Sequence, residues 1–197
     1  MSKYESMNFS KVKALIVDSD QFAVEILGQI LEGFGLPEAR STDNTESARD
    51  ILLEGKFDLL ICEAMLKDGP GTSLVRWVRS QANPRVRYMP VVMLTGHTQL
   101  GYVESGRDSG VNVVVKKPVS PMVLFDRLVW SANSPRPFIE TDTYVGPDRR
   151  FKFMGLPEGG GLRKTDLDGD IGEATEPNLS QDEIDGFMKP ARMMVFE

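Results

Sequence analysis

At 197 residues the chain has room for one full domain and an appendage, but not for two large domains. Hydrophobic residues at 41% and charged residues at 26% are ordinary for a globular protein and exclude wholesale disorder. The formal charge of −6, divided as −1 up to Ser131 and −5 beyond it, leaves no basic arm for nucleic acid.

The opening MSKYESMNFSKVKALIVDSD holds no apolar stretch long enough for a signal peptide. No later run reaches the roughly 20 residues that span a bilayer. A cytoplasmic setting without membrane contact is therefore expected. One cysteine, Cys62, and one histidine, His97, exclude an internal disulfide and a zinc site of the usual soft ligands.

After an N-terminal arm over residues 1–10, a short apolar run at 14–17 reads as a buried strand. Ala23, Leu27, Ile30 and Phe34 then recur on one helical face, with Asp20 as N-cap and Gly33 and Gly35 ending the helix. A weaker strand is placed near 40–42, a helix at 45–54, a strand at 59–62 and a helix at 71–80. Strands at 91–94 and 113–115 alternate with helices at 99–109 and 120–130. Continuous apolar runs mark strands covered on both faces. Five βα units over 11–131 predict an α/β fold with a five-stranded, doubly wound parallel sheet. Residues 132–197 carry eight of the eighteen glycines and few large aliphatic side chains, and are expected to form a flexible, mostly irregular extension.

In an open parallel sheet, functional groups collect beyond the carboxyl ends of the strands. Those ends carry Asp18, Ser19 and Asp20 after the first strand, Glu63 after the third, Thr95 after the fourth, and Lys117 with Pro118 after the fifth. Two acids, a hydroxyl and a lysine are thus predicted to converge on one cleft. Asp20 is read as a helix cap in preference to a cation ligand, and Cys62 as a buried apolar filler.

The segments IVDSD, FDLLICEAML, VVMLTG and VVVKKP, at these spacings, resemble the receiver domain of two-component response regulators over about residues 11–131. The resemblance implies a flavodoxin-like sheet of order 2-1-3-4-5. It makes Asp18 the first acid of a Mg²⁺-holding pair, Glu63 the phosphoacceptor position, and Thr95 and Lys117 the groups that contact the phosphoryl. Two departures stand out. Glu63 replaces an aspartate and carries its carboxylate one methylene further, where misplacement of about 1 Å costs in-line transfer roughly 10²-fold. Ser19 replaces the second acid, which weakens a site for Mg²⁺, an ion held mainly by carboxylates. Val114 stands where the family has a signal-relaying aromatic, with Tyr102 as a nearby substitute.

With one anion fewer, Glu63 can pair directly with Lys117. The expected function is that of a pseudo-receiver, an adaptor in two-component or chemotaxis signalling that acts by protein binding and not as an enzyme, with no cofactor. A histidine kinase or motor components are further expected partners. Two rivals remain open: a phosphorylatable regulator using Glu63 and Mg²⁺, and a receiver that senses cyclic dinucleotides.

The tail segment LSQDEIDGFMKP carries a complete helix start. Ser180 and Glu183 form a capping box, and Leu179 and Ile184 a hydrophobic staple. Ile184, Phe187 and Met188 form one apolar face of a helix near 180–188. The segment is similar to the short receiver-binding peptide of flagellar motor switch proteins. That similarity implies docking on the face made by the fourth helix, fifth strand and fifth helix of a receiver. The target is either a separate chemotaxis-type receiver or the chain's own domain, where Arg127 offers a partner for Asp182 or Asp185. DLDGDIGE lacks the glycine and terminal glutamate of a calcium loop. Arg149 and Arg150 in YVGPDRRF are candidates for anion binding, set against a simple clamp onto the domain's own acidic surface.

Overall fold

The computed structural model describes residues 8–37, 39–133, 136–149 and 178–188, the side chain of Phe187 excepted. Its frame is a five-stranded sheet of β1 (Ala14–Val17), β2 (Ala39–Thr42), β3 (Leu59–Glu63), β6 (Val91–Thr95) and β7 (Val113–Lys116). The order is β2-β1-β3-β6-β7 and every pairing is parallel. This is the 2-1-3-4-5 order expected from the sequence.

Helices α1 (Gln21–Gly33) and α6 (Pro121–Asn133) pack on one face, where Leu27, Leu31, Leu124 and Leu128 meet Ile16, Ile61, Leu94 and Val115. Helices α2 (Thr45–Glu54), α3 (Gly71–Ser80) and α5 (Leu100–Ser109) cover the other, against Leu15, Leu60, Met93 and Val114. Alternate residues of each strand therefore feed two separate cores, so β1, β3 and β6 are buried along their full length and read as unbroken apolar runs. The two-stranded pair of β4 (Met65–Leu66) and β5 (Gly69–Pro70) and the single turn α4 (Pro84–Arg87) carry no periodic signal and were not expected. Among the described residues no helix is long and apolar enough to cross a membrane.

The start of the extension is corrected by the structure. Residues assigned to a flexible tail form an antiparallel hairpin, β8 (Phe138–Glu140) and β9 (Val145–Pro147). One of its supports is a buried arginine. Arg79, only 2% exposed, donates to the carbonyls of Gly110 at 3.0 Å, Arg87 at 2.7 Å and Met89 at 2.8 Å, and to Asn112 Oδ1 at 3.0 Å. Its guanidinium also lies 5.0 Å from the centre of the Phe138 ring. Gly110 ends α5 at φ 96°, and a side chain there would press on the Val145 carbonyl. Arg87 and Tyr88 both grip Glu140.

The last helix, α7 (Gln181–Met188), is seated on β7. Its start is the expected capping box: the Ser180 N–H donates to Glu183 Oε2 at 2.7 Å and the Glu183 N–H to Ser180 Oγ at 3.3 Å.

Candidate functional site

Strand register builds the cleft. Val17 lies beside Cys62, Glu63 beside Leu94 and Thr95 beside Lys116, so the residues that follow all leave the sheet at its carboxyl edge. Backbone bonds continue the ladder by one step, from Asp18 N–H to the Thr42 carbonyl at 3.1 Å and from Lys117 N–H to the Thr95 carbonyl at 2.8 Å. Gly71 lets α3 start directly against β3: a side chain there would overlap the Glu63 carbonyl oxygen and press on Cys62 Sγ.

Lys117 is the hub. Its Nζ donates to Asp18 Oδ2 at 2.7 Å and pairs with Glu63 Oε2. Both carboxylates are buried, Asp18 at 4% exposure and Glu63 at 9%. Burial alone pulls the Lys117 pKa down, but its hydrogen bonds to Asp18 and Glu63, reinforced by their charges, outweigh it and hold the ammonium above the ordinary lysine range. The remaining oxygens are anchored by main chain: Asp18 Oδ1 accepts from Asp20 N–H at 2.9 Å, and Glu63 Oε1 from Ala64 N–H at 2.9 Å. One cation thus joins two anions fixed from behind, the arrangement in which a buried ion pair holds its geometry.

The other predicted residues are placed differently. Asp20 caps α1, accepting from the N–H groups of Phe22 at 3.0 Å and Ala23 at 3.4 Å. Ser19 bridges the Asp43 carbonyl at 3.0 Å and the Lys67 N–H at 3.1 Å. Thr95 is not drawn to Glu63. Its hydroxyl donates to the His97 carbonyl at 3.0 Å and accepts from the His97 N–H at 2.9 Å, bonds that order the loop after β6. Cys62 is fully buried, and burial followed by the charge of Glu63 pushes its thiol pKa well up. The donor set does not fit Mg²⁺: Asp18 and Glu63 both face Lys117, and the Ser19 oxygen is held by main chain. Among the described residues no three acids, histidines or cysteines are grouped to hold a metal.

The tail segment lies on the chain's own domain. Ile184 is 0% exposed and Met188 is buried; both join Val103 and Val114 in one apolar cluster, with Leu179 packed against it. Asp185 pairs with Arg127 of α6, while Asp182 is exposed. The Leu179 N–H donates to the Thr98 carbonyl at 2.8 Å. Gln181 accepts from Lys116 N–H at 2.7 Å and donates to the Val114 carbonyl at 3.3 Å, satisfying the open edge of the sheet. Glu183 is exposed and serves only the cap; the Ser180 backbone and hydroxyl bonds lower its pKa. The Phe187 side chain lies outside the described residues. Gln181, Thr98 and Lys116 were not singled out from the sequence. The spacing of Gln181, Ile184, Asp185 and Met188 on one helical face is the signal that identifies Gln181.

Arg149, a candidate anion ligand, makes an ion pair with Asp108 at 2.9 Å and lies 4.4 Å from the centre of the Tyr144 ring. It acts as a clamp on α5. Arg150 lies outside the described residues.

Comparison with known proteins agrees with the architecture. Residues 14–129 match the response regulator receiver domain. Chemotaxis protein CheY of Pseudomonas aeruginosa is 29% identical over 117 residues, which is 59% of this chain and 93% of that protein. The transcriptional regulatory protein GltR of the same organism is 35% identical over 114 residues, 58% of this chain; the chain spans only 46% of its length. A two-component response regulator from Clostridium difficile superimposes with a TM-score of 0.57 at 25% identity, covering 63% of this chain and 98% of that one. With the family model spanning more than half of its length, the chain belongs to the response regulator receiver domain family.

Proposed function

We propose that this protein is a pseudo-receiver: a signalling adaptor in two-component or chemotaxis systems that works by protein binding, without Mg²⁺ and without a phosphoryl group on its acceptor position. The observation that carries the reading is the Lys117 ammonium held between Asp18 and Glu63. In a phosphorylatable site the lysine must be available to the incoming phosphoryl and the acids to a metal. Here lysine and acids satisfy one another, and the longer Glu63 side chain closes the gap. The output face belongs to the same reading. Its binder is the segment from Leu179 to Met188, held on the chain's own α5, β7 and α6 rather than presented to a separate receiver.

Incubation with a small-molecule phosphodonor and Mg²⁺, followed by intact-mass measurement, tests this. The expected result is an unchanged mass. A stoichiometric gain of one phosphoryl group located on Glu63 would establish the rival, a working phosphoacceptor.

A further inference from the structure

On the sheet face that carries α1 and α6, the surface is hollowed between α1 and the turn after β7. The groove holds about 460 Å³. That lies within the roughly 300–1,000 Å³ of clefts that take one small organic molecule. Its floor is Leu27 of α1 and Leu94 of β6, 3% and 1% exposed, so it reaches down to the core. Ala23 and Ile26 line it from α1, Pro118 and Val119 from the turn. The hollow has a local origin. Asp20 takes the N–H groups of Phe22 and Ala23 and so fixes the first turn of α1. In that turn the large ring, Phe22, stands at the rim 69% exposed, while the small Ala23 fills little of the space below it. A phenyl group left in water at the lip of an apolar groove is area for a guest to cover.

Among the described residues that line the groove, Lys117 alone has a polar side chain. Its ammonium is bound to Asp18 and Glu63, so what it turns to a guest is its aliphatic stem. One cation against two carboxylates leaves that end net negative, and the N–H groups that would draw an anion to the start of α1 belong to Asp20. We propose that this groove is a binding site for a neutral, largely hydrocarbon small molecule, an input to the chain separate from the phosphoacceptor position. The net charge rejects anions. Strongly polar molecules lose hydrogen bonds to water that apolar walls do not replace. A single side chain inserted by a docking protein would leave most of the volume empty and its lining without contacts, whereas a whole small molecule fills it. Bound there, the guest covers the Phe22 ring and the Lys117 stem, and because it binds only the folded chain it raises stability.

The test uses the full chain and a matched pair of dyes: N-phenylnaphthylamine, which is neutral, and anilinonaphthalene sulfonate, the same skeleton carrying an anionic group. Fluorescence titration and thermal unfolding are the readouts. One neutral dye per chain is expected to bind saturably at micromolar concentration and to raise the unfolding temperature by a few degrees. The sulfonate is expected to bind about tenfold more weakly or less. Ala23→Phe, which fills the groove, and Ile26→Gln, which makes a wall polar, should each weaken the neutral dye by about tenfold or more. Ile26 is 39% exposed, so Ile26→Gln carries the test if Ala23→Phe folds poorly. Leu53→Gln, at an exposed apolar residue of α2 on the other sheet face, should leave the dye unaffected. Absence of saturable binding, or binding untouched by both groove variants, overturns the site. Equal or tighter binding of the sulfonate overturns the neutral class of ligand. Sedimentation that shows self-association abolished by either groove variant would make a second copy of the chain the occupant and likewise overturn the proposal. None of these readouts depends on whether Glu63 accepts a phosphoryl group, which intact mass reports separately.

Discussion

The side-chain amide of Gln181 stands in for a sixth strand beside Lys116: its oxygen takes the Lys116 N–H at 2.7 Å and its nitrogen reaches the Val114 carbonyl at 3.3 Å. An edge strand with free backbone groups invites non-native pairing, and here a single residue of the tail closes it. The Gln181→Ala substitution removes both bonds. Water re-enters the exposed edge, so the loss is expected to be modest, about 1 kcal/mol, read as faster hydrogen exchange of α7 with the global unfolding midpoint nearly unmoved.

Lys117→Met should be the most damaging exposed-to-buried exchange in the cleft. It leaves two buried carboxylates facing each other without a cation. Removing one partner of a buried pair typically costs 3–5 kcal/mol, and because the Lys117 side chain is 25% exposed the expected loss is about 2–3 kcal/mol in urea unfolding. The sign of the pH dependence follows from the raised folded-state pKa. The stabilisation is fully present below the ordinary lysine value of 10.5 and is lost as pH rises through the higher folded value. The difference between the unaltered chain and the variant should stay constant through neutral pH and shrink only in strong alkali.

Gly71→Ala is expected to destabilise by about 1–3 kcal/mol, since its methyl group would overlap the Glu63 carbonyl and force α3 away from β3. Thermal unfolding checks the magnitude. The substitution also shifts the main chain behind Glu63, so a substitution outside the cleft should weaken the Lys117 pairing.

Cys62 should resist thiol reagents in the native state. It is 0% exposed, and burial with the neighbouring Glu63 charge raises its pKa, so little thiolate forms. Labelling is expected to proceed only as fast as the protein opens. Rapid stoichiometric labelling under native conditions would contradict this burial.

The sheet was legible because buried parallel strands announce themselves as short apolar runs, and the cleft because its members stand at strand ends. Asp20 was recognised as a cap from its place before the first helical face. The hairpin of Phe138 and Val145 was missed because its strands have three residues each and its contacts are with residues far away in the chain, Arg79, Arg87 and Tyr88, which give no local signal. The bonds of Thr95 to His97 were not foreseen for a related reason: a hydroxyl at a strand end has main-chain partners within two residues. The choice of Asp185 over Asp182 as partner of Arg127 depends on which side of α7 faces α6, a matter of docking rather than of spacing.

Arg79 has a practical corollary for anyone excising this domain. Its guanidinium is enclosed by carbonyl oxygens and covered by the Phe138 ring, and burial lowers its pKa to about 10. Trimming at Ser131, where the composition changes, would strip away Phe138 and the strands that roof this cation. The smallest autonomous fragment should therefore run through Arg149.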